Sequence, residues 1–511
     1  MKTDVIIVGA GPTGLSLASQ FIRYGVDFII LDEKETTTPF SKAIGVQART
    51  LEIYEQIDLA EKLIEQGIVA GKVRLVESGE VRGEVNLSNV GEGLSPYPFL
   101  LLIEQGKHEK ILYDHLKSRE NDVWWKTRLE SFTQDAEGVT ANYRNTNGEI
   151  GTIEAKFLVG CDGAKSLVRH TLGLEFEGST FERLFYVADV EIDWEFAHDA
   201  LMVCLAQNTI TAFFPLPGEN HYRIVGTFPE NHDKDEGAIL YEEIEKQIIE
   251  DTKINLDISN VSWFSVYRVH SRRVGKFSLG RCFLAGDSAH VHTPAGAQGM
   301  NTGIQDAYNL AWKMALVLRG KSDVKLLETY NEERLANAKK LLQTTDRLFD
   351  FGASEEPVTA FFRLHVFPYI AGFALKFDAV KELIFPIISQ IGINYRHSSL
   401  SETDGNFAVK AGDRMPYFTI DGASVYEKLK EPKFHLLTFF DGENKPPNFA
   451  EILPDELFNF HEFPLYPNIA EIFGASQSFI VLLRPDNYIG FICEEVSIEK
   501  LKKYATENFD L

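Results

Sequence analysis

Cysteine is scarce: Cys161, Cys204, Cys282 and Cys493 are the only four in a chain of 511 residues. They lie far apart and form no CxxC pair, which excludes a disulfide framework and a zinc site and reads as reduced thiols of a cytoplasmic protein. Long apolar runs are lacking too. No uninterrupted stretch reaches the roughly 18 residues needed to cross a bilayer. The Phe- and Leu-rich segment Phe361–Phe377 is broken by Arg363, His365, Pro368 and Lys376. The run after Lys2 is interrupted by Gly9, Gly11, Pro12 and Gly14, so it does not read as a signal peptide. Positive charge is in deficit, with 51 Lys and Arg against 75 Asp and Glu, a net charge of −24. Such a surface repels nucleic acid and anionic membranes. It leaves room for a phosphate-bearing cofactor, because a local cradle of N–H groups overrides the mean field. No GxSxG elbow surrounds Ser288, so it is not a hydrolase nucleophile. His290 and His292 lack acidic or cysteine companions, so no metal site is expected. What remains is an ordinary globular composition, 44% apolar and 25% charged, with length for two or three domains.

The most informative stretch is "VIIVGAGPTGLSLASQFIRYGVDFIILDEKE", Val5–Glu35. Val5–Val8 reads as a buried parallel strand. Gly9, Gly11 and Gly14 form GxGxxG, with Pro12 and Thr13 inside it. The first glycine permits the tight turn, the second admits a pyrophosphate to the backbone, and the third lets helix and strand pack. The helix start aims N–H groups and its positive dipole end at that phosphate. Phe28–Leu31 is the second strand and delivers Asp32, eighteen residues after Gly14, to the ribose hydroxyls; Glu33 is the one-residue alternative. The pattern specifies a dinucleotide without choosing FAD over NAD.

Two distant stretches extend it. In "AKFLVGCDGAKSLVRHTLG" a strand leads into Asp162-Gly163, with Ser166 and Arg169 on a helix behind. In "GRCFLAGDSAHVHTPAGAQGMNTGIQDAYNLAWKMALVLRG" a short strand delivers Gly286-Asp287, then a glycine-containing loop (Gly296, Gly299, Gly303), then an amphipathic helix. A carboxylate at a strand end suits a row of ribityl hydroxyls. A glycine-rich loop lets backbone donors approach a flavin edge without side-chain bulk.

With these three motifs in this order, the sequence resembles the single-component (class A) FAD-dependent aromatic hydroxylases, a flavoprotein monooxygenase family. The resemblance implies that Asp287 holds the ribityl chain of FAD. It implies that the backbone of Gly299-Met300-Asn301 meets the pyrimidine edge, and that Asp162-Gly163, with Arg169, serves both FAD and the reduced nicotinamide. "SKAIGVQARTLEIYEQ" resembles a family segment with basic residues near the cofactor, for which Lys42 and Arg49 are the candidates; a solvated helix face is the competing reading. Gln105 matches a family glutamine of the ribityl or phosphate region. Pro294 and the loop to Gly299 form one wall of the substrate pocket. A second GxGxxG is absent, as in the family, so NADPH or NADH binds transiently. The tryptophan motif of flavin-dependent halogenases is absent as well.

The expected architecture is α/β: a Rossmann-like FAD-binding domain in two parts (1–177 and 276–394), an inserted antiparallel-sheet substrate domain (178–275), and a C-terminal α/β domain (395–511). "AGDRMPYF" and "LLRPDNYIGFI" in the last resemble the thioredoxin-like domain of a family subgroup. Without CxxC its role is structural or dimer-forming. The sheet's aromatic positions Phe213, Phe214, Tyr222, Trp263 and Tyr267 supply the opposite pocket wall, about half of them facing the cavity; Phe213, Tyr222 and Tyr267 are the candidates to face the substrate, with Arg223 or Arg268 meeting its phenolate or carboxylate. The acidic run Pro229–Gly237 reads as a solvated loop. The function implied is hydroxylation of an aromatic, phenolic or polycyclic substrate with NAD(P)H and O2 through a flavin C4a-hydroperoxide, without an indispensable acid–base side chain. A non-oxygenating FAD oxidoreductase and an FAD-binding protein without turnover are the alternatives. The sequence leaves open the substrate, and whether the role is catabolic, biosynthetic or antibiotic-inactivating.

Overall fold

The computed structural model describes residues 1–39, 43–88, 90–229, 239–293, 297–353, 359, 378–442, 447–451 and 453–509, without the side chains of 182, 348–353, 378 and 379. Lys42, Pro294, Gly296, nearly all of the acidic run and Phe361–Phe377 lie outside the described residues.

The first sheet grows from the apolar strand Lys2–Val8, whose Val5, Ile6 and Ile7 are fully buried. It pairs in parallel with Phe28–Leu31 on one side and Ile150–Gly160 on the other. Val123–Trp124 and Cys282–Leu284 extend the parallel set outward. Parallel pairing requires crossovers, and these deliver every strand's C-terminal end to one edge. The three motif loops therefore meet there. Helix Pro12–Tyr24 packs against both Gln105–Ser118 and Gly299–Leu318.

The second sheet is a curtain of eight strands, in the order His290–Val291, Asp257–Val274, Phe176–Asp193, His221–Thr227, Ile210–Pro215, Ala200–Leu205, Lys72–Glu77, Glu80–Asn86. All neighbours are antiparallel except Ala200–Leu205 with Lys72–Glu77. Two of its strands thus come from well before residue 178, a non-local pairing that local pattern does not reveal. Its edge strand His290–Val291 belongs to the third motif, which ties the curtain to the first sheet. Helix Tyr241–Thr252 covers one face, over Tyr186, Met202, Phe213, Tyr222 and Ile224.

The C-terminal residues form a mixed five-stranded sheet ordered Glu402–Asp404, Ile489–Cys493, Phe479–Leu483, Phe434–Phe440, Phe458–Pro464. One side has its own core of Leu437, Phe439, Val481 and Ile492; the other, with Phe434, Leu482 and Phe491, merges into the core of the first sheet. Among the described residues no helix is long and apolar enough to cross a membrane.

Candidate functional site

The loop after the first strand is shaped by contacts that only glycine allows. Gly9 has φ +102°, and a Cβ there would lie 2.4 Å from the Cys161 carbonyl oxygen. A Cβ on Gly14 would lie 1.9 Å from the Gly9 carbonyl oxygen. Gly11 differs: a Cβ would meet nothing within 4 Å. It is the N-cap of Pro12–Tyr24, with no side-chain cap, so the helix's first N–H groups open onto empty space. A diphosphate fits that space and that dipole.

Asp32 ends the second strand at 8% exposure. Its Oδ2 accepts from the Ala10 amide at 2.6 Å and its Oδ1 from the Lys34 amide at 2.8 Å. The carboxylate is thus fastened beside the glycine loop. Glu33 is exposed and lines a separate open depression with Lys126, Arg128 and Arg144. Of the two acids, Asp32 is the one fastened beside the glycine loop.

The first and third motifs meet at Thr13. A Cβ on Gly286 would lie 2.5 Å from Thr13 Oγ1, and one on Gly303 would lie 2.4 Å from the same atom. Ser288, wholly buried, donates to the Gly160 carbonyl at 2.6 Å and so fastens the third motif to the second. Asp287, in the 3-10 turn Gly286–Ser288, is exposed. Asp162 accepts from the Ser166 hydroxyl at 2.5 Å and the Val168 amide at 3.1 Å, capping the helix Leu167–Thr171. Burial raises its carboxyl pKa. Gly163, at φ +75°, faces open space. Arg169 lies 3.9 Å over the Phe176 ring and donates to the Ser288 carbonyl at 3.4 Å, next to Asp287.

Helix Gly299–Leu318 starts without a side-chain cap. The Asn301 side chain is buried: it accepts from the Gln47 amide (2.9 Å) and the Thr50 hydroxyl (2.7 Å), and donates to the Gly45 and Ala297 carbonyls (both 2.9 Å). The helix start is thereby pinned, and its early amides are what it can offer a flavin edge. Met300 Sδ lies 3.3 Å from His108 Nδ1, and His108 Nε2 lies 2.8 Å from the Tyr54 hydroxyl. Burial pushes His108 down to about 3 and His292 down to about 4, so both are neutral at pH 7. His290 Nε2 is 2.7 Å from Asp306, and His292 Nδ1 is 2.7 Å from the Thr293 carbonyl. No cluster able to hold a metal occurs among the described residues.

Three expectations need correction, those for Arg49, Phe213 and Tyr222. Arg49, 1% exposed, pairs with Glu52 at 3.0 Å and donates to the Asp486 carbonyl at 2.9 Å. It joins the first sheet's helices to the C-terminal residues, and is neither solvated nor turned to a cofactor. Phe213 and Tyr222 pack on Trp194 (ring centroids 5.0 Å for each) under helix Tyr241–Thr252, on the far face of the curtain. Strand alternation puts Phe214 and Tyr267 on the other face. Arg223 shares that face, but its Nε and Nη2 are engaged by Asp189, each at 2.6 Å. Gln105 lies near Asp32 through Glu109 and Lys34; it donates to Glu109 at 2.8 Å and accepts from the Ala43 amide at 3.2 Å. Asp189, Asp306 and Arg334 escaped sequence reasoning. A lone carboxylate inside the apolar helix pattern was the available signal for Asp306.

A glycine-lined dinucleotide cradle joined to a broad antiparallel curtain defines a mixed α/β flavoprotein. The chain belongs to the FAD binding domain family, whose model matches residues 2–345. A flavin-dependent monooxygenase of Mycobacteroides abscessus is 31% identical over 96% of this chain and 97% of its own. Pentachlorophenol 4-monooxygenase of Sphingobium chlorophenolicum is 32% identical over 81% of this chain and 75% of its own. The solved structure of OxyS anhydrotetracycline hydroxylase from Streptomyces rimosus superposes with a TM-score of 0.78 at 26% identity, over the whole of both chains. The chain is an FAD-dependent monooxygenase.

Proposed function

We propose that this monooxygenase hydroxylates a phenolic or polycyclic aromatic compound held between the curtain and the cofactor loop. Bound FAD supplies hydride acceptance from NAD(P)H and activation of O2. The chain's part is to bind, orient and keep water out. In this reading the Gly9–Gly14 loop cradles the diphosphate, Asp32 takes the adenosine ribose, and Asp287 takes the ribityl hydroxyls. The amides at Gly299, Met300 and Asn301 face the flavin's pyrimidine edge. Asp162-Gly163 and Arg169 border the path of the nicotinamide.

The observation that carries the substrate assignment is the curtain's face opposite helix Tyr241–Thr252. Phe185, Val187, Phe214, Trp263 and Tyr267 line it, with the Asp189–Arg223 pair among them. Ser271, farther along the same face, donates to Asp346 at 2.8 Å, and the adjoining strand His290–Val291 leads to the cofactor loop. An apolar wall with a few fixed polar groups is the usual lining of a small-molecule site. The C-terminal unit, with its mixed five-stranded sheet flanked by the helices Pro467–Phe473 and Ile498–Asn508, supports a thioredoxin-like reading with a structural role. Four buried free cysteines support a reduced, cytoplasmic setting. The test is a panel of phenols and polycyclic aromatics screened for faster NAD(P)H oxidation. A hit that accelerates oxidation at least tenfold supports the reading, and a rate indifferent to every aromatic compound speaks against it.

A further inference from the structure

Asp306 is wholly buried on the helix Gly299–Leu318. Its Oδ2 accepts from the Gly286 amide at 3.0 Å and lies 2.7 Å from Nε2 of His290. Those two groups stand at either end of the stretch Gly286–His290, and exposed Asp287 lies between them. Gly286 holds the left-handed conformation, φ +65°, and packs against Thr13, so the stretch has little freedom to shift on its own. The other oxygen, Oδ1, accepts from Arg334 Nε at 2.6 Å. Arg334 also donates from Nη2 to the Thr302 carbonyl at 3.1 Å and from Nη1 to the Tyr395 hydroxyl at 2.8 Å. One buried ion pair thus fastens the Gly-Asp turn to the first turn of the helix that begins at Gly299. Burial opposes ionisation of Asp306, but Arg334 and His290 outweigh it and hold the carboxyl below its ordinary range.

We infer that Asp306 is a positioning residue of the cofactor site: it fixes the turn that presents Asp287 to FAD, with Arg334 as its countercharge. The inference rests on the assignment of Asp287 to the ribityl chain. Its physical content is coupling. A carboxylate that anchors both ends of a turn with one oxygen sets where the residue between them points. Losing it should therefore matter to FAD only through Asp287.

The test is a double-mutant cycle on the full-length protein, stripped of flavin and titrated with FAD by fluorescence. Asp306→Asn alone strands the Arg334 charge in the core and is expected to fold poorly. The neutral pair Asp306→Asn with Arg334→Gln removes both charges and is isosteric at 306, while shortening the side chain at 334. His290→Phe is the second variant; it releases one anchor, leaves the ion pair intact and preserves the stacking on Phe277. The neutral pair should weaken FAD binding about tenfold or more, and add about twofold or less once Asp287 is Ala. His290→Phe should behave likewise with a smaller effect. If Asp287→Ala weakens binding but either variant costs the same factor in both backgrounds, or costs nothing, Asp306 does not act through the turn. If Asp287→Ala itself leaves FAD affinity unchanged, the ribityl assignment fails, and the inference falls with it.

Discussion

Asp189 and Arg223 face each other across neighbouring strands of the curtain and form a two-point ion pair, 2.6 Å at both contacts, with Arg223 only 1% exposed. Each charge is tolerated there because the other is present. Arg223→Ala should leave a buried carboxylate without that countercharge and cost about 3–5 kcal/mol of stability. Replacing both residues with apolar side chains of similar volume should cost far less. Urea unfolding of the single and double variants measures the difference; equal losses would show that the pair is not the reason the charges are tolerated.

The two faces of the curtain should separate stability from coupling. Phe213→Ala and Tyr222→Ala empty the core beneath helix Tyr241–Thr252 and should cost about 3–5 kcal/mol, as large-to-small aromatic changes do. The fraction of NAD(P)H that ends in product should be unchanged. Phe214→Ala and Tyr267→Ala should instead shift reducing equivalents towards hydrogen peroxide. Melting temperature and peroxide yield, measured together on all four variants, distinguish the faces. Uncoupling by Phe213→Ala without loss of stability would place the substrate on the wrong side of the sheet.

Gly303→Ala should loosen the cofactor. The new Cβ would lie 2.4 Å from Thr13 Oγ1 and 3.1 Å from the Gly286 Cα, so the junction of the first and third motifs must open. FAD content after purification should fall. Thr13→Ala in the same chain removes the closer clash and should restore part of that content; Thr13→Ser keeps the oxygen and should not. Equal FAD content in all three would show that the junction is not tight.

Acid should destabilise the fold through histidines that must stay neutral. Burial pushes His108 down to about 3; burial, with His461 beside it, pushes His435 down to about 3. An unfolded histidine titrates near about 6.5. Below that pH the unfolded chain takes up protons that the folded chain refuses. The stability contribution is therefore complete above pH ~6.5 and is lost as pH falls towards the folded values. Each of the two should account for about 1.4 kcal/mol per pH unit in that window. Urea midpoints between pH 7.5 and 4.5 test this, with His108→Gln and His435→Gln expected to flatten the slope.

Much of the cofactor site was legible in the sequence because its glycines are demanded by backbone geometry. Gly9, Gly14, Gly286 and Gly303 stand where a Cβ would collide with the Cys161 backbone, the Gly9 carbonyl or Thr13, so the backbone itself demands glycine at that spacing. The curtain was legible as strands, but not as faces. Phe213 and Phe214 are adjacent aromatics, and alternation alone does not say which of them looks towards the cofactor loop. Arg49 was misread for a different reason. Its partner Asp486 lies 437 positions away, and no local pattern signals a contact of that range. The strands Lys72–Glu77 and Glu80–Asn86 joined the curtain from outside its expected limits by the same kind of long-range pairing.

The C-terminal residues should prove inseparable from the rest. Trp312, wholly buried, donates to Asp486, and Glu333 on helix Glu328–Ala353 accepts from both Arg484 and Lys313 in a buried cluster. A chain ending at residue 394 would expose that cluster and the apolar surface around Trp312. It should be insoluble, or lack the near-ultraviolet dichroism of the full protein. A soluble, FAD-loaded truncation would show that the first two sheets stand alone.

The central claim is that one atom of molecular oxygen goes into an aromatic substrate held against the curtain. The most direct measurement uses the best aromatic hit, NAD(P)H and 18O2, with the product read by mass spectrometry. The expected product has one added oxygen that carries the 18O label and forms only with enzyme and reductant. Product oxygen drawn from water, or NAD(P)H consumption yielding only hydrogen peroxide across every aromatic tested, would contradict it.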